Sequence, residues 1–255
     1  MRWLLLVLSL LLAGCGNKAR TLRVGMEMKY PPFEMLDEKG APAGVSVDLA
    51  RALGEHLGLP VKFENTPFDG LIPSLKTGGV DVVISSMSAT DERRKSIDFS
   101  EPYLRTGLCL LVAAKSDIQS AADLDRQGRK VAVLKATTGH TWAEANLKNA
   151  EVLVLGDEAA AALEVSQGKA DAFIYDQMST LRNSLKYHDT TRALLKPFRE
   201  EGWAIAFAKG NDELRTKVNA FLSDYRVKGG FEKLGDKWLK EQKAEFKKRE
   251  VPFVF

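Results

Sequence analysis

From Leu22 onward, short apolar runs of strand length alternate with amphipathic runs of helix length, and the alternation occurs twice. "LRVGME", "PVKFEN" and "VDVVIS" read as strands; the last is apolar enough to be buried on both faces. Between them, "GVSVDLARALGEHLG" places Val45, Leu49, Leu53 and Leu57 on one helical stripe. "FDGLIPSLKTG" is a short helix stopped at Gly78 and Gly79. The rhythm pauses over 95–120 and restarts. "RKVAVL", "AEVLVL" and "ADAFIYD" are the strands, and "TTGHTWAEANLKN", "GDEAAAALEVSQG" and "QMSTLRNSLKY" the helices. Such βαβ series predict two α/β lobes, each a mostly parallel sheet flanked by helices. No short period recurs, so the chain is not a solenoid. The tail from Asn211 is helical, is interrupted at Gly229 and Gly230, and has Asp212 and Glu213 in its opening turn.

Two apolar runs, "GLCLLVAA" (107–114) and "GWAIAFAKG" (202–210), flank the second series. If both cross between lobes, the second lobe is an insertion in the first. The expected division is 22–108 for the first part of lobe 1, 109–204 for lobe 2, and 205–255 for the return to lobe 1. Two crossings side by side make a hinge, and the cleft between the lobes is the place for a ligand.

The chain has 255 residues, 45% of them hydrophobic, enough for one or two sizeable cores. The net charge of +3 comes without a basic stripe interleaved with aromatics, which argues against nucleic acid. At the N-terminus, Arg2 precedes the apolar run "WLLLVLSLLLAG", too short to span a bilayer comfortably. "LAGC" then resembles a lipobox. It implies a signal peptide over 1–14, lipidation of Cys15 and a tether over 15–21, hence an exported chain anchored to a membrane. Cys109 is the other cysteine and reads as a small buried hydrophobe. His56, His140 and His188 form no metal-ligand spacing, and HExxH, GxSxG, CxxC and P-loop motifs do not occur. Neither a cofactor nor a metal is expected.

"YPPFE" (30–34), "GVSVDLARAL" (44–53) and the run from Pro67 to Tyr103, followed by "KVAVLKATTG" and "ADAFIYDQ", resemble the polar amino-acid family of ABC-transporter solute-binding proteins, in its two-lobed periplasmic form. The resemblance covers 22 to about 245. It implies a monomer that binds a free amino acid between its lobes and delivers it to a membrane permease. Desolvating a zwitterion is costly unless each charge meets a fixed partner. By family match, Arg93 is the guanidinium for the ligand's carboxylate, and Ser86, Met87 and Ser88 supply hydroxyl or backbone contacts. Thr137 and Thr138 close from the second lobe, at a helix start. Asp176 accepts the ammonium, and Tyr30 and Phe68 line the cleft. Each has a plainer reading beside this one: an ion pair with Asp91 or Glu92 for Arg93, helix caps for the threonines and Asp176, core packing for Phe68. Ala136 stands where the family usually has Gly, which bears on the backbone of that loop.

Glu27, three residues before Tyr30, matches a position that faces the ligand's side chain. A carboxylate there favours a basic amino acid, lysine or arginine. Two alternatives remain open: a dehydratase of cyclic dienyl acids on the same fold, with Glu27 or Glu144 as proton donor, and a ligand-sensing module for a signalling partner. Trp142 is a further candidate wall and Phe33 a core residue.

Overall fold

The computed structural model describes residues 20–252; the lipobox cysteine and the apolar leader lie outside them. Lobe 1 opens with β1 (Leu22–Met26), followed by a small sheet of β2 (Lys29–Tyr30), β3 (Glu34–Leu36) and β4 (Pro42–Ala43). Then come α1 (Val45–Leu57), β5 (Val61–Asn65), α2 (Phe68–Lys76), β6 (Val82–Val83), the single turn α3 (Asp91–Arg94) and β7 (Ile97–Phe99). Lobe 2 contains β8 (Leu104–Ala113), β9 (Lys130–Leu134), α4 (Thr138–Asn146), β10 (Glu151–Leu155) and α5 (Glu158–Ser166). It continues with β11 (Ala172–Asp176), α6 (Gln177–Lys186) and β12 (Thr191–Trp203). The chain returns to lobe 1 through β13 (Ala206–Ala208) and finishes in α7 (Asp212–Val227), α8 (Gly230–Trp238) and α9 (Lys240–Lys248).

The two main sheets run β5-β1-β6-β13-β7 and β10-β9-β11-β8-β12. Each is mixed, where the strand–helix rhythm predicted mostly parallel sheets. The βαβ half of each sheet is parallel, β5-β1-β6 and β10-β9-β11. The other half is antiparallel because its strands belong to the crossings: β13 against β6 and β7, β8 against β11 and β12. A strand that continues out of one lobe enters its neighbour's sheet from the opposite end.

The first crossing also comes earlier than expected. "GLCLLVAA" is not a connector: up to Ala113 it is the later part of β8, paired on both sides within the second sheet. That sheet already begins at Leu104, opposite Trp203, so the first boundary falls between Phe99 and Leu104 rather than after Leu108. The return is the short step from Trp203 to Ala206.

Both sheets are covered on both faces, which explains their continuous apolar runs. In lobe 1, Val24, Leu49, Leu53, Phe207 and Phe221 pack on one face, and Leu71, Leu75, Val83, Ile97 and Phe99 on the other. In lobe 2, Leu110, Val131, Val133 and Ile174 pack away from Leu111, Ala132, Ala161 and Phe173. Cys109 is buried, and its thiol donates to the Leu195 carbonyl at 3.4 Å.

Candidate ligand-binding site

The carboxyl ends of β1, β6 and β11, where a sheet of this kind exposes its loops to a ligand, meet strand β12 around a narrow cavity of about 40 Å³ between the lobes. After β6 the chain bends through Ser86, whose φ of 46° lies in the left-handed region. This bend and the two-residue alternation send Ser86 and Ser88 to the cavity. The Met87 side chain goes the other way, fully buried with Leu71, Leu75 and Phe99. Met87, expected in the binding set, therefore does not line the cavity, and its carbonyl accepts from Ala204 N at 3.0 Å.

Thr90 caps α3 by accepting from Arg93 N at 3.2 Å, which fixes the backbone beneath the guanidinium. The Arg93 side chain does not pair with Asp91 or Glu92; Glu92 pairs with Lys95 instead. Arg93 turns inward, donates to Ser88 O at 2.9 Å, crosses the cleft to donate to Ala136 O at 3.0 Å, and lies 5.4 Å from the Phe68 ring centroid. Burial lowers its pKa to about 10, opposed by the nearby Glu201 charge, so it remains a cation. The Ala136 carbonyl is presented from a residue with φ of 61°, the conformation a glycine would adopt without cost.

Across the cavity, Asp176 caps α6 and is 8% exposed. Its Oδ1 accepts from Met178 N at 2.9 Å, Ser179 N at 3.0 Å and the Tyr30 hydroxyl at 2.7 Å. These bonds all use Oδ1, which leaves Oδ2 as an acceptor. Burial raises the carboxyl to about 6 despite the bonds from Ser179 and Tyr30. Thr137 caps α4, accepting from His140 N at 3.4 Å and donating to Leu134 O at 2.7 Å. Cap and cavity-lining positions thus coincide in lobe 2.

Glu27 is half-buried; burial raises its carboxyl, and a backbone hydrogen bond from Phe68 opposes the rise. Lys135 and Asp69 join the lobes at 2.8 Å beside the outer mouth that Glu27 and Phe68 share. Tyr30 stacks on Phe33 at 5.4 Å and meets Trp203 and Tyr175 edge-on at 5.9 and 6.0 Å. The Arg182 guanidinium, 5.5 Å from the Tyr30 ring centroid, is paired with Glu158.

Of the residues singled out from the sequence, Glu27, Tyr30, Phe68, Ser86, Ser88, Arg93, Thr137, Thr138 and Asp176 all line this cavity. Glu144 does not line it: it is exposed and faces His140 at 3.3 Å. Trp142 packs on Phe198 at 4.9 Å. Sequence reasoning missed Glu34, Tyr175, Glu201 and Trp203. Glu34 is 1% exposed, accepts from Ser46 Oγ at 2.6 Å and Ser86 Oγ at 3.1 Å, and is pushed up to about 8 by burial, so it holds its proton at neutral pH. Glu201 sits on β12, where Arg199, Glu201 and Trp203 share a face by alternation. Its Oε2 accepts from Ser88 Oγ at 2.6 Å and Thr138 Oγ1 at 2.9 Å. Among the described residues no group of His, Cys, Asp and Glu could hold a metal ion.

The sequence and the fold both have relatives among known proteins. The L-cystine-binding protein TcyJ of Escherichia coli K12 is 32% identical over 231 residues, covering 89% of this chain and 86% of that protein. A crystal structure of a putative ABC-transporter binding component from Wolinella succinogenes, complexed with lysine, superposes with a TM-score of 0.80 at 34% identity, over 86% of this chain and 95% of that one. An ancestral amino acid-binding protein, a precursor of cyclohexadienyl dehydratase, superposes with a TM-score of 0.77 at 37% identity, over 86% and 94%. The family model of the bacterial extracellular solute-binding proteins, family 3, matches residues 22–241, and the chain belongs to that family.

Proposed function

We propose that this protein binds a free amino acid with a cationic side chain between its lobes and delivers it to an ABC-transporter permease. One observation carries the reading: the cavity sets the Arg93 guanidinium against four carboxyl groups, Glu27, Glu34, Asp176 and Glu201. In this reading Arg93 receives the ligand's carboxylate, Asp176 Oδ2 the ammonium, and Tyr30, Phe68 and Trp203 wall the stem. With Arg93 and Asp176 committed to the zwitterion, Glu27 is the carboxyl group at the outer mouth; burial raises it, and a cationic side chain beside it would favour its ionised form and complete a pair. The lysine complex of the Wolinella relative is consistent with this. A ligand that touches both walls favours closure by differential contacts, and the closed form is what a permease would read. Lipidation of Cys15 would hold the protein beside that permease; incorporation of radiolabelled palmitate into the wild type but not into Cys15→Ser tests it. Calorimetry with the twenty amino acids tests the ligand. Arginine or lysine binds tightest, and tight binding confined to Glu, Asp or aliphatic amino acids would overturn the basic-ligand reading.

A second reading rests on Glu34. A carboxylic acid that keeps its proton at neutral pH inside the cavity is the right species to protonate a leaving group, as a dehydratase of cyclic dienyl acids requires. Incubation with prephenate or arogenate distinguishes the two, because a binding protein returns the compound unchanged.

A further inference from the structure

Glu201 holds a position that the proposed chemistry assigns to something else. Its side chain is 5% exposed and stands near the end of β12, the lobe 2 strand that leads back into lobe 1. Oε2 takes one hydroxyl hydrogen bond from each lobe, Ser88 of the first and Thr138 of the second. The same carboxylate supplies the counter-charge felt by the buried Arg93 guanidinium. A cation with hydroxyl donors from both walls is the set a ligand's carboxylate needs, and here a carboxylate of the protein already takes both hydroxyls within the field of the guanidinium.

The other oxygen points to an alternative seat. Oε1 is buried without a hydrogen-bond partner among the described residues and lies 3.6 Å from Arg199 Nε. Arg199 and Arg105 line a second, more open pocket of about 630 Å³ on the hinge side of β12. Ser88 and Glu201 line both cavities, so Glu201 is the partition between them. Arg199 and Arg105 thus give a carboxylate turned away from the hydroxyls a second, cationic environment.

We propose that Glu201 is an internal competitor for the ligand's carboxylate. It clasps Ser88 and Thr138 to hold the lobes together when no ligand is bound, and it is displaced toward Arg199 and Arg105 when an amino acid enters. Two carboxylates sharing Arg93 repel each other, so each molecule bound must turn one Glu201 out. Glu201 would then set both the affinity and the fraction of protein closed without ligand. This rests on the reading that Arg93 grips a carboxylate, but it can be tested without any amino acid.

The experiment is X-ray scattering of the exported protein, wild type and Glu201→Ala, in chloride and in acetate at equal ionic strength. Glu201→Ala is expected to be more open than wild type in chloride, and acetate is expected to reclose it by taking the vacated hydroxyls and Arg93. In parallel, Glu201→Gln, which keeps the size and an acceptor oxygen, is expected to bind arginine at least about tenfold more tightly than wild type. A Glu201→Ala protein as compact as wild type, an absence of any acetate effect, or arginine affinity unchanged or weakened in Glu201→Gln overturns the proposal. The arginine criterion applies where wild type binds arginine; if acetate recloses Glu201→Ala while neither wild type nor Glu201→Gln binds any amino acid, the clasp and its displacement by a carboxylate stand and the amino-acid reading falls.

Discussion

Arg93 and Asp176 stand on opposite walls of the cavity, and they are held there in different ways. Arg93 projects from a single helical turn, and its bonds go to two carbonyls, Ser88 O and Ala136 O. Asp176 is built into its lobe: the oxygen that accepts the Tyr30 hydroxyl also caps α6. The first lobe thus contributes a charge that can be removed without uncapping an element. The second contributes one that cannot. Binding and stability should separate on one wall and be coupled on the other.

The largest expected effect tests the separable wall. Arg93→Ala should weaken amino-acid binding by at least about 100-fold, roughly 2.7 kcal/mol, because it strands a desolvated carboxylate. Its melting temperature should stay within about 2 °C of wild type, since the freed carbonyls can take water and Glu201 keeps Arg199 at 3.6 Å as a counter-charge. Calorimetry and thermal melts read both quantities. An affinity within threefold of wild type would remove Arg93 from the site, and a large drop in melting temperature would erase the contrast between the walls.

On the coupled wall, Asp176→Ala should lose both quantities: about tenfold or more in affinity, and about 1–2 kcal/mol of stability from the missing cap. Asp176→Asn sharpens the comparison. Asparagine caps as well as aspartate does, so this variant should lose affinity while keeping most of the stability. If Asn and Ala variants melt alike, the cap is not what couples the two roles.

The pH dependence isolates the same residue by a different route. Burial raises Asp176 to about 6, and only its ionised form pairs with an ammonium. Affinity should therefore fall by about tenfold between pH 7 and pH 5, one unit below that value, and Asp176→Asn should be nearly flat over this range. Stability without ligand runs the opposite way. Asp176 and Glu34 both have raised values, about 6 and about 8. Each favours the folded state fully below its ordinary value, and that contribution is lost as pH rises through the raised one. The melting temperature should decline from pH 6 to pH 8, and Glu34→Gln should flatten the decline.

The contrast between walls also explains what could be read from the sequence. Strand–helix alternation carried the two lobes, and the motif around Arg93 carried the first wall. Caps were legible as caps, because Asp at the end of a strand and Thr before a helix are local signals. Glu34, Tyr175, Glu201 and Trp203 were not legible, because what brings them together is long-range. Glu201 reaches the cavity only because β12 pairs with β8 and brings Trp203 beside Ser88. The reading of 202–210 as a crossing began one residue too late to include it. The spacing of Arg199, Glu201 and Trp203 was available, as was the alternation that turns Met87 away from Ser86 and Ser88. The mixed sheets were hidden for the same reason: periodicity marks a strand but not the direction from which it enters.

The smallest expected effect lies where the walls touch. Ala136 belongs to lobe 2, has φ of 61°, and offers its carbonyl to Arg93 of lobe 1. A residue with a Cβ in that conformation costs about 1–2 kcal/mol relative to one without, and glycine's freedom in the unfolded chain returns about 0.5–1 kcal/mol of that. Ala136→Gly should therefore raise the melting temperature by between nothing and about 6 °C. Its effect on affinity decides what the strain is for. If alanine holds the carbonyl in place for Arg93, Ala136→Gly loosens that contact and arginine binding weakens by about two- to fivefold despite the higher melting temperature. If affinity and melting temperature rise together, the strain has no part in positioning the guanidinium, and the contact between the walls forms equally well without it.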